Sequence, residues 1–415
     1  LDRAGLRTIV LEARDRIGGR IYTIHDPLSF LPLELGAEFV HGRPIELLNL
    51  IRDAGLKIYD GTDASYYMNN GQIERSADAW DLVGSILDEM RVAAKGSDQS
   101  FEQFLAKTEY DDDARKAARG YIEGFNAADA SEISIQALAE ETAAADEIDG
   151  DRVFRFASGY DAVPLHLLHT VPDFQAKLHL STAVERLDWK PGTVSLRTRN
   201  TLTGEVQTWN AERAIITVPL GILQAGAIAF CPEPVELLEA ARSLRFGQVF
   251  RLVMRFRKPF WESHGELQDA GFILSREQLF PTWWTTLSMR SNLLTAWSAG
   301  ARADGLIGMS QQEIVNTALG SLARILGIKV EEIRANLCAA YFHDWQKDKY
   351  ALGAYSYVPA GALDARRKLA VPVEDTLFFA GEATDQNGHS ATVHGAIASG
   401  QRAAKQILGA VVANR

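Results

Sequence analysis

The sequence predicts an α/β fold: a Rossmann-like domain built from discontinuous segments, with an α+β domain inserted into it. Three observations predict this. A short β-branched run near the start, "TIVLEA", closes on an acid, Glu12. An apolar run near the end, "TLFFAGEAT", breaks at a glycine and leads into a long helical pattern. Between them, strand-rich and helix-rich stretches alternate and then interrupt one another, so a single sheet must collect strands from distant parts of the chain.

The opening "LDRAG" reads as the end of a helix, closed by Gly5, which tolerates the left-handed conformation. "TIVLEA" suits a buried strand of a parallel sheet. A strand, helix and strand ending in an acid form the second half of a dinucleotide-binding unit, where the carboxylate bonds ribose hydroxyls. Glu12 fits that role and also fits a solvated strand-end carboxylate; this stretch leaves both open. The first half, a strand and a GxGxxG turn, belongs about 20 residues earlier. Glu12 has eleven residues ahead of it and none supplies that turn, so the expectation is an N-terminally incomplete chain. In "ARDRIGGR", Gly18 and Gly19 permit close approach of backbone to a ligand, and the Arg20 fork suits a pyrophosphate. A surface turn with a solvated arginine is the alternative.

"IELLNLIRDAGLKIYD" is a helix stopped at a glycine. From about Ala77 to Glu147 the chain lacks strand signals and shows several amphipathic helices. "VFRFASGYDAVPLHLLHTV" is a strand followed by a helix. From Lys177 to Leu223 runs a series of strands with turns at "KPG" and "TG". "GQVFRLVMRFRKPFW" is a strand leading into an aromatic cluster, and "QQEIVNTALGSLARILG" is a helix. After Gly381 and Glu382 a helix begins near Ala391 to Val393. Its free N–H groups and positive dipole end suit a phosphate or an electron-rich ring edge. A crossover with an unused cap is the alternative.

The 415 residues are 47% hydrophobic, enough for a large core and for two or more domains. The net charge of -11 argues against nucleic-acid binding through a basic surface. Cys231 and Cys338 lie far apart and form no CxxC, which suggests neither a disulfide framework nor a metal site. No apolar run is long enough for a membrane span. No signal peptide is visible, so a soluble, cytoplasmic protein is the default expectation. The sequence says nothing about oligomeric state.

Several of these stretches, in order, carry a resemblance: "VLEARDRIGGR", "LELGAEFVHG", "FNAADASEISIQALA", "AIITVPLGIL", "RFRKPFW", "GAYSYVPAG" and "LFFAGEATDQNGHSATVHGAIASGQRAA". Together they resemble the flavin-dependent amine oxidase family, which includes monoamine, polyamine and L-amino-acid oxidases and the flavin-dependent lysine-specific histone demethylases. The resemblance implies an FAD-binding domain in three parts, 1–70, 153–235 and 351–415. It also implies an inserted substrate domain with a helical part, 71–152, and a sheet and helix, 236–350. Glu12 would hold the adenosine ribose, with Arg14, Gly18, Gly19 and Arg20 at the phosphates. Leu35, Gly36, Ala37 and Glu38 would run along the flavin, and Val184 would meet the adenine. Gly381 and Glu382 would stand near the ribityl and pyrophosphate, and Ala391, Thr392 and Val393 at the pyrimidine end. Trp345 would lie near the ring, and Tyr355 would form an aromatic wall of the substrate cage. The implied chemistry is oxidation of an amine C–N bond: hydride transfer to flavin N5, hydrolysis of the imine and reoxidation by molecular oxygen. The reacting amine must be neutral, so activity should rise with pH through its effective pKa.

The chain departs from the family in three places. The Gly-rich turn is absent. Arg251 stands where most active members carry a lysine ten residues before the "KPFW" tryptophan, Trp261; a fixed guanidinium there implies altered, slower reaction with oxygen. Arg251 pointing away from the cofactor is the alternative. Thr392 stands where many members carry a second cage tyrosine, which leaves one aromatic wall and a wider pocket. His41 matches a polyamine-oxidase histidine at the pocket mouth, where it either reads a distant amine or simply satisfies a turn. Ala354 replaces the cysteine that holds FAD covalently in monoamine oxidases, so non-covalent FAD is expected. The leading expectation is a polyamine-oxidase-type enzyme acting on a small-molecule amine. The alternatives are an L-amino-acid-oxidase-type flavoenzyme and a non-catalytic member with weakened FAD binding. Lack of a long helical insertion argues against a histone-demethylase role.

Overall fold

Strand pairing across long sequence separations assembles the first part of the molecule. The computed structural model describes residues 1–69, 72–75, 77–264, 266–276 and 278–413. Val10–Leu11 pairs in parallel with Leu178–His179, and Ala214–Ile216 with Leu377–Phe379. Val40–His41 and Ile58–Asp60 both pair antiparallel with Val153–Phe156. The early, middle and late segments are thereby joined, as a discontinuous Rossmann-like domain requires. Thr182–Lys190 is the hub of a four-stranded sheet with Thr193–Asn200, Val206–Ala211 and Ala229–Cys231. Its turns fall at Gly192 (φ 74°) and Gly204 (φ 77°), where the sequence places them. The closing helix, Val393–Ala413, buries Ala403, Ile407 and Ala410 against Phe378 and Ala380.

The inserted part centres on a seven-stranded sheet. Its order is Leu337–Phe342, Val249–Phe256, Leu293–Ala299, Thr282–Trp284, Phe272–Ser275, Ser65–Asn69 and Gln72–Arg75. Helix Gln311–Leu326 covers one face. It starts at a Ser310–Glu313 capping box and ends at Gly327 (φ 65°). Ile314, Ala318, Leu319 and Leu322 pack onto Leu252, Met254, Phe256 and Trp283. Each such side chain contributes about 1.5–3 kcal/mol when fully buried, which makes this layer a rigid wall for whatever lies on the sheet's other side. Helices Ala77–Ala93, Phe101–Leu105, Asp112–Asn126 and Ile135–Glu147 form a separate core around Met90, Phe101, Phe104 and Ile122. Asp111 caps the third of these through the Ala114 N–H at 2.8 Å.

Two expectations need correction. "LDRAG" forms a 3₁₀ turn, Asp2–Ala4, although Gly5 closes it at φ 82° as expected. The "TIVLEA" strand is only Val10–Leu11, and Ile9 and Val10 stay 43% and 54% exposed. Among the described residues it pairs along one edge alone, so its apolar side chains lack the second cover of a central parallel strand. The boundary placed at 70 lies outside the described residues; the strands on either side, Ser65–Asn69 and Gln72–Arg75, pair antiparallel within the seven-stranded sheet. Helix Val235–Ser243, divided from the first part by the boundary at 235, packs with Ile216, Leu369 and Leu377.

One buried carboxyl ties the entry to the site region together. Glu34 accepts bonds from Thr23 Oγ1 and the Tyr160 N–H, both at 2.7 Å, and is 8% exposed. Burial pushes its pKa up to about 7 from 4.5, against the two hydrogen bonds. Between those values the folded chain holds a proton the unfolded chain has released. Stability from this group is therefore full below about pH 4.5 and lost by about pH 7, on the order of 3 kcal/mol. Glu34→Gln should flatten the fall of Tm between about pH 5 and pH 8 relative to wild type; parallel Tm curves would contradict this.

Candidate functional site

One cavity of about 3490 Å³ lies where the parallel strands meet the seven-stranded sheet, and every residue singled out from the sequence lines it, from Glu12 to Val393. Its volume far exceeds the few hundred Å³ typical of a small-molecule pocket and suits an elongated ligand.

A strap formed by residues 35–38 makes its middle wall. The Leu35 N–H donates to the Tyr22 carbonyl at 2.8 Å, and the Ala37 N–H to the Arg20 carbonyl at 3.1 Å. Trp345 Nε1 donates to the Leu35 carbonyl at 2.8 Å, and Arg251 Nη1 to the Gly36 carbonyl at 2.6 Å. Gly36 is demanded by space: a Cβ there would stand 1.9 Å from the Arg20 oxygen and 3.2 Å from the Trp345 ring. Glu38 ends the strap in a buried cluster. Arg251 Nη2 bonds one carboxylate oxygen, Arg155 Nε the other at 2.6 Å, and Trp284 Nε1 adds a bond at 3.0 Å. Burial alone would raise the Glu38 pKa, but the Arg251 and Arg155 charges outweigh it and hold the carboxyl below its ordinary value. Two guanidiniums against one carboxylate leave this wall with a net positive charge. Arg251 sits on the strand Val249–Phe256, 5% exposed, with its guanidinium 5.4 Å from the Trp284 ring. Both of its terminal nitrogens are spent on the strap.

At one end of the cavity the Glu12 carboxylate accepts the Arg14 N–H at 2.8 Å, and burial raises its pKa. Val184 lies close by, on a strand tied to Glu12 by the Thr182 N–H bond to the Glu12 carbonyl at 2.8 Å. Arg14 grips Asp348 with two bonds of 2.7 Å, and His343 Nε2 shares that carboxylate at 2.7 Å. Against burial, these bonds hold Asp348 well below the usual carboxylate range. Gly18 (φ 97°) and Gly19 (φ 58°) shape the following turn, and a Cβ on Gly19 would meet nothing within 4 Å.

Arg20 donates to the Ala354 carbonyl at 2.6 Å and to Glu382 at 2.9 Å. Glu382, 4% exposed, also accepts from Ser356 Oγ at 2.7 Å and from the Ala391 N–H at 3.0 Å. Burial would raise its pKa; the Arg20 charge and the Ser356 bond hold it down. Gly381 takes φ 124°, and its N–H donates to Ser399 Oγ at 2.9 Å. Thr392 Oγ1 donates to the His389 carbonyl at 2.6 Å and accepts the Gly395 N–H at 3.0 Å, capping the helix. Its hydroxyl is thus spent on the cap, while the first-turn N–H groups of Val393 and His394 have no partner within the helix.

The other end is aromatic: Phe39, His41, Tyr121, Phe125, Trp284, Trp297 and Tyr355. Tyr355 donates its hydroxyl to the Phe125 carbonyl at 2.8 Å. Burial pushes His41 down to about 4, so it is neutral at ordinary pH. Sequence reasoning missed Arg155, Trp284, Asp348 and Phe125. Arg155 carried a signal, as a charged residue between Phe154 and Phe156 in a buried strand, which demands a buried partner. Phe125 opens the stretch "FNAADASEISIQALA", and the other two carried none. Among the described residues, no group of three or more metal-ligating side chains comes together.

The donor set fits FAD. Open glycine backbone lies at Gly19 and Gly381, free N–H groups at the head of a 21-residue helix, and a carboxylate at the end of a strand. Residues 1–408 match the family described as "Flavin containing amine oxidoreductase", and the chain belongs to that family. It is 30% identical over 437 residues to lysine-specific histone demethylase 1 homolog 2 of Oryza sativa subsp. japonica, covering 98% of this chain but 54% of that protein. It is 28% identical to polyamine oxidase 2 of Arabidopsis thaliana, covering 98% and 84%. The chain thus spans about half the length of the demethylase relative and most of the polyamine oxidase. The fold matches putrescine oxidase bound to putrescine (TM-score 0.81, 23% identity, covering 98% and 95%). It also matches cyclohexylamine oxidase from Brevibacterium oxydans (TM-score 0.81, 21% identity, covering 99% and 95%). Among the described residues no helix is long and apolar enough to cross a membrane.

Gly36→Ala should lower the free energy of unfolding by at least about 2 kcal/mol, because its methyl cannot fit beside the Arg20 carbonyl. An unchanged denaturant midpoint would contradict the strap geometry.

Proposed function

We propose that this flavin-containing amine oxidoreductase oxidises the C–N bond of a polyamine or related primary or secondary amine, using non-covalently held FAD. The observation that carries this reading is the meeting of Glu12, Glu382 and Tyr355 on one cavity, with the pinned strap between its polar and aromatic ends. The Glu12 carboxylate would take the ribose hydroxyls and the backbone at Val184 the adenine. The backbone at Gly18, Gly19 and Gly381 would approach the pyrophosphate, and the Val393 N–H the pyrimidine edge. Arg14 acts indirectly in this reading, since Asp348 holds its fork, whereas Arg20 meets Glu382 through Nη1 alone. The chemistry FAD would supply is acceptance of a hydride from the amine's α-carbon, with imine hydrolysis by water and reoxidation by oxygen.

The chain's own residues bind and orient. Tyr355 and the rings beside it attract a cationic amine on entry and keep water from the reacting carbon. The positively charged Arg251–Glu38–Arg155 wall favours the neutral amine at the site itself, which suits loss of the substrate's proton before reaction. Cys231 and Cys338 are exposed and neither lines the cavity, which supports a cofactor held without a thioether. The amino-acid reading needs a free arginine for a carboxylate, and Arg20 and Arg251 are already paired. Arg251, fixed on the strap, presents a rigid fork already bonded to Gly36 and Glu38 where a lysine would present a compact point donor, so reaction with oxygen is slow.

Anaerobic mixing of the FAD-loaded chain with polyamines, aryl amines and amino acids tests the reading. At least one amine should bleach the flavin, and denaturation should release the yellow chromophore. Bleaching by amino acids alone, or a chromophore that stays with the denatured chain, would overturn it. In stopped flow, Arg251→Lys should accelerate reoxidation by oxygen; a rate equal to wild type would remove Arg251 from that role.

A further inference from the structure

Phe125 stands in the last turn of helix Asp112–Asn126, a large apolar side chain left 54% exposed, yet it faces the cavity. Its position is fixed from several sides. Tyr121, one turn earlier on the same helix, stacks on it at 5.7 Å and 19°. The His41 ring meets it edge-on at 5.7 Å and 76°. Its carbonyl takes the Tyr355 hydroxyl, and the carbonyl before it, of Gly124, takes Trp297 Nε1 at 2.9 Å. The backbone just beyond is pressed against the sheet part. A Cβ on Gly247 would stand 2.3 Å from the Ala127 oxygen, and one on Gly300 2.4 Å from the Ala128 oxygen. The helix end therefore cannot retreat, and the ring keeps its place against the cavity.

At the substrate end Thr392 offers no aromatic face, and its hydroxyl is spent on a helix cap. We propose that Phe125, backed by Tyr121 and His41, supplies the second aromatic wall there. It is a specificity-determining residue that favours amines with an extended methylene or ring skeleton over short-chain amines. This rests on the amine-oxidising reading above. The physical basis is contact: stacked and edge-on rings bury a methylene chain or a ring on their faces, and a two-carbon amine is too short to reach them. His41 is neutral, so the wall sets no positive charge against an incoming ammonium.

The test is anaerobic reduction of FAD-loaded wild type, Phe125→Ala, Phe125→Leu and Phe125→Tyr by benzylamine, putrescine and ethylamine. Reduction of wild type by ethylamine alone overturns this inference; reduction by no amine of these or of the wider panel overturns the underlying reading and this inference with it. With wild type reduced, Phe125→Ala should raise the half-saturating concentration of benzylamine and putrescine about tenfold, the size of one lost aromatic contact. The limiting rate and the response to ethylamine should barely move, and Phe125→Tyr should restore wild-type values. FAD content and Tm should be unchanged; if Phe125→Ala does not fold, Phe125→Leu carries the same expectation. Equal effects on all three amines, no effect, or loss of FAD would each overturn the inference while leaving amine oxidation intact.

Discussion

A carboxylate buried in a protein needs charge and hydrogen bonds around it, or it costs several kcal/mol. Glu382 receives them from three places far apart in the chain: Arg20, Ser356 and the backbone of Ala391. The loop after the opening strand, the segment before the closing strand and the head of the last helix therefore meet at one point. Without that meeting the parallel strand pairs would still form a sheet, but its loops would have no reason to converge on one cavity. Glu38 repeats the device across the molecule. It is satisfied only when Arg251 and Trp284, from the seven-stranded sheet, and Arg155, from the strand beside His41, approach together. One acid closes the first part on itself; the other joins it to the inserted sheet.

These two acids also set what the cavity can do. Because Asp348 occupies the fork of Arg14 and Glu382 takes one nitrogen of Arg20, the polar end offers backbone N–H groups and a carboxylate beside partly neutralised cations. That is a surface for a nucleotide with its own charge balance, held by shape and dipoles. Because Glu38 occupies Arg251, the wall beside the strap carries a fixed positive charge that cannot move as a lysine could. At the aromatic end the rings are held in place by hydrogen bonds from Tyr355 and Trp297 to one helix terminus.

Much of this was legible in the sequence because its cause is local. A β-branched run ending in an acid, a Gly-Gly turn and a glycine after a helix each dictate the backbone around them. Gly36 and Glu38 were legible only through their place in "LELGAEF". Their physical reasons, the Arg20 carbonyl and two arginines, lie in other strands. The short, half-exposed opening strand and the hairpin across residue 70 were not legible. Burial and sheet membership depend on which strand arrives alongside, and that is a tertiary fact. Asp348 had no local mark at all: it is an acid in a turn until Arg14 gives it a role.

In the proposed reading the Arg20–Glu382 pair builds the cofactor end of the cavity as a unit. Quenching of flavin fluorescence during FAD titration, across wild type, Arg20→Gln, Glu382→Gln and the double variant, measures this directly. The account predicts that either single change weakens FAD binding nearly as much as both together. Losses that simply add, or single variants that bind FAD as wild type does, would contradict it.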